Sequence, residues 1–200
     1  MYIVGLTGGI GSGKTAASDY FAQTYDIEIV DADIVAREVV MQGQPALHTI
    51  VEHFGVTVLQ EDGSLNRAAL RQIVFSDPQQ RKVLESITHP AIRAMIQHKL
   101  SLSTSPYTLL VSPLLFESGQ YQFAQRNLVI DVNEELQWQR ASMRDNVTAE
   151  QIKQIMTAQL SRQERLKRAD DIVINNGDLA YLHLQLDELH QKYLSLATML

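Results

Sequence analysis

Four residues near the start of the chain, Gly8, Gly13, Lys14 and Thr15, have the types and spacing to hold a polyphosphate: they fit the pattern G-x-x-x-x-G-K-[ST]. The chain has ten glycines in 200 residues, and five of them (Gly5, Gly8, Gly9, Gly11, Gly13) fall within nine positions. Glycine loses more chain entropy on folding than any other residue, so such a cluster implies a backbone path that only glycine permits. A loop whose N–H groups turn inward around an anion is such a path. A helix starting near Lys14 would add its free N-terminal donors and the positive end of its dipole. Lys14 can then place a charge between the β- and γ-phosphates of a nucleotide, and the Thr15 hydroxyl can ligate Mg²⁺. The dinucleotide pattern G-x-G-x-x-G competes for the same glycines. Read from Gly9 it puts Lys14 at the third glycine, and read from Gly11 it puts Ala16 there; only Asp31 keeps it in play. The guanine-specific patterns N-K-x-D and D-x-x-G occur nowhere in the chain. The chemistry is therefore that of a nucleoside triphosphate, weighted towards ATP and towards phosphoryl transfer to a second substrate.

Such a transfer needs a carboxylate for the acceptor's proton or for the metal. Asp31 and Asp33, in "DAD", follow a short apolar run that ends where doubly wound sheets bind ligands. Asp33 can serve as that base or simply cap a helix. Arg37, four residues on, shares its helical face and can orient the carboxylate or hold a substrate phosphate, or form a surface ion pair. Further along, residues 140–168 carry seven Lys/Arg against three acids in a chain whose net charge is −6. A basic segment on an acidic protein suits an anionic ligand or a solvated helix face, while the overall charge argues against general nucleic-acid binding. His48, His53, His98, His183 and His190 show no metal-ligand spacing, and there is no cysteine for a disulfide, a thiolate metal site or a nucleophile.

The elements that must position these groups are short, unbroken, β-branched runs of the kind buried in parallel sheets: Tyr2–Leu6, Ile27–Asp31, Tyr107–Ser112, Asn127–Val132 and Asp171–Asn175. Helical stretches separate them. One runs from Lys14 to about Gln23. Another opens at Asp77-Pro78 towards Leu100, and His89-Pro90 should kink or divide it. Thr148 and Gln151 fit a capping box ahead of Ile152, Ile155, Met156 and Leu160, and a last helix after Asp178 is striped by Leu182, Leu186, Leu189 and Tyr193. Strands alternating with helices predict one α/β domain of P-loop NTPase type: a parallel five-stranded sheet flanked by helices. The long gap between the second and third strands, 32–106, reads as a helical insertion carried by the sheet core of 1–31, 107–135 and 170–200. "MYIVGLTGG" lacks the basic start of a signal peptide, and "TLLVSPLLF" is too short and too interrupted to span a membrane. A cytoplasmic protein is expected.

"LTGGIGSGKT", "DAD" with Arg37, His89-Pro90, "PLLFE" (Pro113–Glu117), "RASMRD" (Arg140–Asp145) and "ADDIVINNG" (Ala169–Gly177) together resemble the dephospho-CoA kinase family, in order and over nearly the full length. The resemblance implies transfer of the ATP γ-phosphoryl group to the 3′-hydroxyl of dephospho-CoA. By that resemblance Gly8, Gly9, Gly11, Ser12, Gly13, Lys14, Thr15 and Ala16 hold ATP, and Thr15 holds Mg²⁺. Asp33 is the base, and the insertion binds the acceptor together with Arg37, His89, Leu114 and Glu117. Residues 136–169 form a helical lid from which Arg140 folds over the phosphates, and Asn175 and Gly177 line the adenine site. The partner implied is a small molecule, with neither nucleic acid nor membrane, and a monomer or weak homo-oligomer. Many family members place a glycine after the first helix where this chain has Tyr25-Asp26, a departure that touches only the helix end.

Overall fold

The computed structural model describes residues 1–145 and 156–199. Its contacts divide the chain into two compact units, Met1–Asp31 with Leu100–Leu200, and Ala32–Lys99.

The first unit is built on five parallel strands: β1 (Tyr2–Gly8), β2 (Ile29–Asp31), β3 (Tyr107–Val111), β4 (Arg126–Asp131) and β5 (Asp171–Ile174). They lie in the order β2-β3-β1-β4-β5, so the strand that leads into the glycine loop is central. Leu6 stands beside Val111 on one side and Leu128 on the other. Alternate residues face opposite sides of a strand. Tyr2, Val4 and Leu6, with Tyr107, Leu109, Val111, Leu128, Ile130 and Val173, therefore form one buried face.

Two helices cover that face: α1 (Lys14–Tyr25), through Ala17 and Phe21, and the last helix, Leu179–Ala197, through Leu182, Leu186 and Tyr193. Each fully buried Leu or Phe there contributes about 1.5–3 kcal/mol. The last helix opens as expected: the Asp178 carboxylate accepts the Tyr181 N–H. Gly5 belongs to the opposite face, where a β-carbon would come within 2.8 Å of the Leu115 side chain and 3.0 Å of Asn127.

Two polar clusters fix these helices. Asp187 of the last helix accepts from Tyr20 Oη at 2.7 Å and Tyr25 Oη at 2.6 Å, both on α1. His183 stacks on Tyr20 and His190 on Tyr25, and His190 Nδ1 lies 2.9 Å from the buried Tyr107 hydroxyl. Beside β5, the buried Asp171 carboxylate holds Arg126 Nε at 2.7 Å and Lys192 Nζ at 2.6 Å. Burial pushes its pKa up, but the two cations outweigh that and leave it below the usual carboxylate value.

The second unit is helical: α2 (Ala32–Glu38), α3 (Pro45–Phe54), α4 (Arg67–Ser76) and most of α5 (Pro78–Leu102). Its buried residues include Val35, Leu47, Ile50, Val58, Leu70 and Ile96. Lys99 Nζ binds Glu38 at 2.8 Å. Asp77 accepts from Gln79 N at 2.7 Å and so starts α5 together with Pro78, as the sequence predicts. Of the two outcomes expected of His89-Pro90, a kink or a division, division does not occur: α5 runs unbroken for 25 residues with Pro90 inside it. Proline deprives the Ser86 carbonyl of its helical donor. Ser86 is exposed, so water can serve that carbonyl while the ladder on both sides persists.

Among the described residues no helix is long and apolar enough to cross a membrane. The helix expected from Thr148, Gln151, Ile152 and Ile155 lies outside the described residues. Among the described residues of the sheet unit, α6 (Glu134–Asp145) and α7 (Arg162–Lys167) follow β4, and α8 is the last helix, Leu179–Ala197.

Candidate active site: a phosphate-binding loop and its tethers

The loop leaves the central strand at Gly8 and enters α1 at Lys14. Its turn is closed by Ser12 N donating to Gly9 O at 3.1 Å, and the helix opens with Ala17 N on Gly13 O at 3.0 Å. Gly11 (φ 70°) and Gly13 (φ 95°) take left-handed conformations that side chains rarely adopt. At Gly13 a β-carbon would also run into the Asn175 amide. Gly13 is the N-cap of α1, no side chain caps this end, and no acid occupies its first turn. The first N–H groups of the helix therefore keep their capacity for an anion.

Lys14 reaches back to the Gly8 carbonyl at 3.1 Å, which brings a cation to the start of the loop. A cavity of about 460 Å³ lies over this end, lined by Gly11, Ser12, Gly13, Lys14, Thr15, Ala16, Arg140 and Met143. That size suits a nucleotide-scale ligand. Thr15 offers a hard hydroxyl oxygen to it. Among the described residues no group of three His, Cys, Asp or Glu could cage a metal. The donor set fits Mg²⁺ held by one hydroxyl, phosphate oxygens and water.

Four side chains hold the loop in shape. From the end of β5, Asn175 is buried and its Nδ2 donates to Ser12 O at 2.8 Å. Arg140 of α6 donates through Nη1 to Asn175 O at 2.9 Å. Gln137, one turn earlier on α6 and buried, sets its side-chain amide against Gly9, and its carbonyl lies 2.8 Å from where a Gly11 β-carbon would stand. Gln159 accepts from Ile10 N at 3.2 Å and donates to Pro113 O at 3.1 Å, linking the loop to the turn after β3. Next to it, Leu160 N donates to the Glu117 carboxylate. Ile10 itself packs on Ala141, Trp138 and Met156.

At the carboxyl end of β4, buried Asp131 holds Arg162 in a two-pronged pair, with Nε at 2.8 Å and Nη2 at 2.6 Å. This bond raises the Arg162 pKa above its ordinary value. Such bidentate pairs fix a guanidinium in plane and in place.

The residues expected at the site distribute as follows. Gly8, Gly9, Gly11, Ser12, Gly13, Lys14, Thr15 and Ala16 form the loop and helix start, and Arg140 joins them. Asn175 meets the loop through its side chain, and Gly177 sits where a β-carbon would contact Tyr181 at 3.6 Å. Leu114, 38% exposed, and Glu117 belong to the turn after β3. Asp33 (first turn of α2), Arg37 and the exposed His89 belong to the helical unit. There Arg37 lines a cavity of about 780 Å³ with Arg67, Gln42, Gln60, Ser64 and Asn66. Residues 146–155 of the expected lid lie outside the described residues. The sequence did not single out Gln137, Gln159, Arg165 or Arg67. Arg165 stood within the basic segment, but neutral glutamines in a helical pattern carry no spacing signal.

A family model described as dephospho-CoA kinase matches residues 2–181. A dephospho-CoA kinase of Acinetobacter baylyi is 57% identical over 195 residues, covering 98% of this chain and all of that protein. Two solved structures share the fold. TT1252 from Thermus thermophilus has a TM-score of 0.79 and 29% identity over 96% of this chain and 97% of its own. The dephospho-CoA kinase of Campylobacter jejuni has a TM-score of 0.72 and 28% identity over 95% of this chain and 96% of its own.

Proposed function

We infer that this chain, which belongs to the dephospho-CoA kinase family, transfers the γ-phosphoryl group of ATP to the 3′-hydroxyl of dephospho-CoA, giving CoA and ADP in the last step of CoA synthesis. The observation that carries the phosphoryl-donor half is the uncapped start of α1 beneath the glycine loop, with Lys14 folded against it. Backbone N–H groups of Gly11–Ala16 cradle the β- and γ-phosphates, and Lys14 neutralises charge on the group in transfer. Thr15 and the phosphate oxygens would hold Mg²⁺, which offsets charge on the β- and γ-phosphates when bound. Arg140, anchored on the Asn175 carbonyl, closes over the cavity and helps exclude water.

On the acceptor side, Asp33 takes the proton of the ribose hydroxyl as the new P–O bond forms. Arg37 and Arg67 hold the acceptor's diphosphate in the helical unit's cavity, whose apolar residues Val40, Met41 and Leu65 suit the pantetheine arm. His89, Leu114 and Glu117 belong to the same acceptor assignment. Asn175 and Gly177 border the nucleotide, Asn175 through the loop itself. Supporting the assignment of Asp33 and Arg37 is their spacing of four on α2, one helical turn apart. A cytoplasmic location and a monomer or weak homo-oligomer complete the reading.

A coupled assay offering dephospho-CoA and a panel of nucleosides and nucleotides tests it. Turnover should be specific to dephospho-CoA, and absence of that turnover refutes the reading. Asp33→Asn should keep ATP binding and lose at least about 10²-fold in kcat, the scale of general base catalysis. Unchanged turnover across pH would reduce Asp33 to a helix cap.

A further inference from the structure

A second cation stands at the start of the glycine loop, and no role described above uses it. Arg165, on α7, is 6% exposed. Its Nη2 lies 3.0 Å from where a β-carbon on Gly9 would be, beside the amide of Gln137. Its Nη1 donates to the Leu160 carbonyl at 3.0 Å. Among the described residues no carboxylate stands within ion-pair distance of it. The two carboxylates that act on it from further off are already committed: Glu117 to the Leu160 N–H, and Asp131 to both prongs of Arg162. Burial accordingly lowers the Arg165 pKa below its ordinary value despite those two acids, whereas Arg162, bonded to Asp131, has its pKa raised.

A guanidinium taken out of water costs free energy unless an anion answers it. Arginine presents five donors in a rigid fork, and one backbone carbonyl uses only one of them. The neighbouring elements supply several donors and cations at this point: the loop amides, Lys14 on Gly8, and the Gln137 amide on Gly9. Loop amides gathered around a buried guanidinium favour an anion at this point. Gly8 and Gly9 begin the loop, while the nucleotide cavity is lined from Gly11 onward through Ala16. Lys14, which neutralises charge on the group in transfer, reaches Gly8, and Arg165 stands at the next residue, Gly9, so the two cations flank one point at the start of the loop.

We propose that Arg165 is a positioning cation for the terminal phosphate of ATP, reaching it from the Gly9 side of the loop while Lys14 acts from the Gly8 side. The inference rests on the assignment of Gly8–Ala16 to ATP phosphates. It makes Arg165 a discriminator between ATP and ADP, because only ATP brings the third phosphate to Gly9. A strut that merely supported the loop would affect both nucleotides alike.

The test is binding of a non-hydrolysable β,γ-imido ATP analogue and of ADP, each with Mg²⁺, to the full chain and to Arg165→Gln, whose amide can still serve the Leu160 carbonyl. The expected result is a loss of about 10–100-fold for the ATP analogue, the scale of one charged hydrogen-bond pair, with ADP affinity nearly unchanged. Arg165→Lys keeps the charge without the fork. It should shift the ratio of the two affinities in the same direction by a few-fold, and it serves if the glutamine variant does not fold. Parallel loss of both nucleotides, or an unchanged ratio in a folded variant, overturns the proposal. If the unaltered chain binds neither nucleotide, the phosphate-loop reading falls first and takes this inference with it.

Discussion

Asn175 offers a sharp test of how the loop is held. Its Nδ2 donates to the Ser12 carbonyl at 2.8 Å in a region where both residues are buried. In Asn175→Ala the Ser12 carbonyl loses its donor and stays out of water. A buried polar group left unsatisfied costs about 1–3 kcal/mol, against only about 0.5–1.5 kcal/mol for the net worth of an ordinary hydrogen bond. If the loop relaxes to recover that carbonyl, the cost appears as weakened phosphate binding. At 1.4 kcal/mol per decade, the expected loss is about 5–150-fold in affinity. Asn175→Asp is the harsher change despite its matching shape: it sets a carboxylate oxygen against a carbonyl oxygen and brings negative charge towards a polyphosphate. The order of affinities should be wild type, then Ala, then Asp. Isothermal titration with ATP and with inorganic tripolyphosphate separates this account from a direct adenine contact. If Asn175 works through the loop, both ligands weaken together. Full retention of tripolyphosphate affinity by Asn175→Ala, or wild-type ATP affinity in Asn175→Asp, would refute the reasoning.

Three further outcomes are expected. Lys14→Ala should lower kcat by about 10³-fold or more, because it removes a fixed charge from the group in transfer; stopped-time assays at saturating ATP measure it, and near-normal turnover contradicts the loop assignment. His190 is buried against Tyr25 and Tyr107; burial lowers its pKa from the ordinary 6.5 while Asp187 partly opposes this. The unfolded chain then binds this proton more readily than the folded one. The His190 contribution to stability is complete above about pH 6.5 and is lost as pH falls from there through the folded pKa. Thermal melts from pH 7.5 to 5 should show that decline, and His190→Gln should flatten it. Finally, Asp26 caps α1 in a left-handed conformation, φ 54° and ψ 37°, while exposed to solvent. Asp26→Gly should stabilise by about 0.5–1 kcal/mol, a rise of roughly 1–4 °C in Tm, since glycine removes the β-carbon strain but costs more chain entropy. A lower Tm would show that the Asp26 side chain contributes more than the strain it imposes.

The sequence revealed the parts of the fold that depend on short-range regularity. Unbroken apolar, β-branched runs located the five strands to within a residue or two; the central ones are buried on both faces and tolerate little else, whereas edge strand β5 leaves Ile172 and Ile174 exposed. The loop was legible because its glycines answer a local steric demand that few other sequences would meet. Pro90 shows the limit of local rules: it forbids one hydrogen bond, and a helix with 12 residues before it and 12 after it survives that loss. The strand order was less accessible. Nothing in residues 27–31 alone says that β2 will sit at an edge beside β3, with β1 central. The tethers were least legible of all. Gln159 and the amide of Asn175 act across 46 to 163 residues of separation, Gln137 meets Gly9 from a distant helix, and a neutral amide in a helix or turn looks the same whether it meets water or a loop carbonyl.

Those tethers explain why a glycine-rich loop can bind tightly at all. Five glycines would otherwise give the segment many backbone states, and binding would have to order them at a cost of about 1–2 kcal/mol for each residue fixed. Here the ordering is done on folding. Asn175 holds Ser12 from β5, Gln159 holds Ile10 from the chain before α7, and Gln137 meets Gly9 from α6. The helix that supplies the N-terminal donors is itself locked by the Tyr20–Tyr25–Asp187 cluster to α8. Donor directions are thus set before ligand arrives, and the free energy of phosphate contact goes into affinity and transition-state charge rather than into arranging the loop. The same logic accounts for five of the chain's buried polar groups. Ser12, Gln137, Asn175, Asp131 and Arg165 are all among its buried polar residues, and all of them surround the loop or brace the residues that do. In a core built for stability alone, apolar residues of similar volume would serve as well or better. Their concentration around one short turn is the mark of a surface shaped in advance for a charged guest.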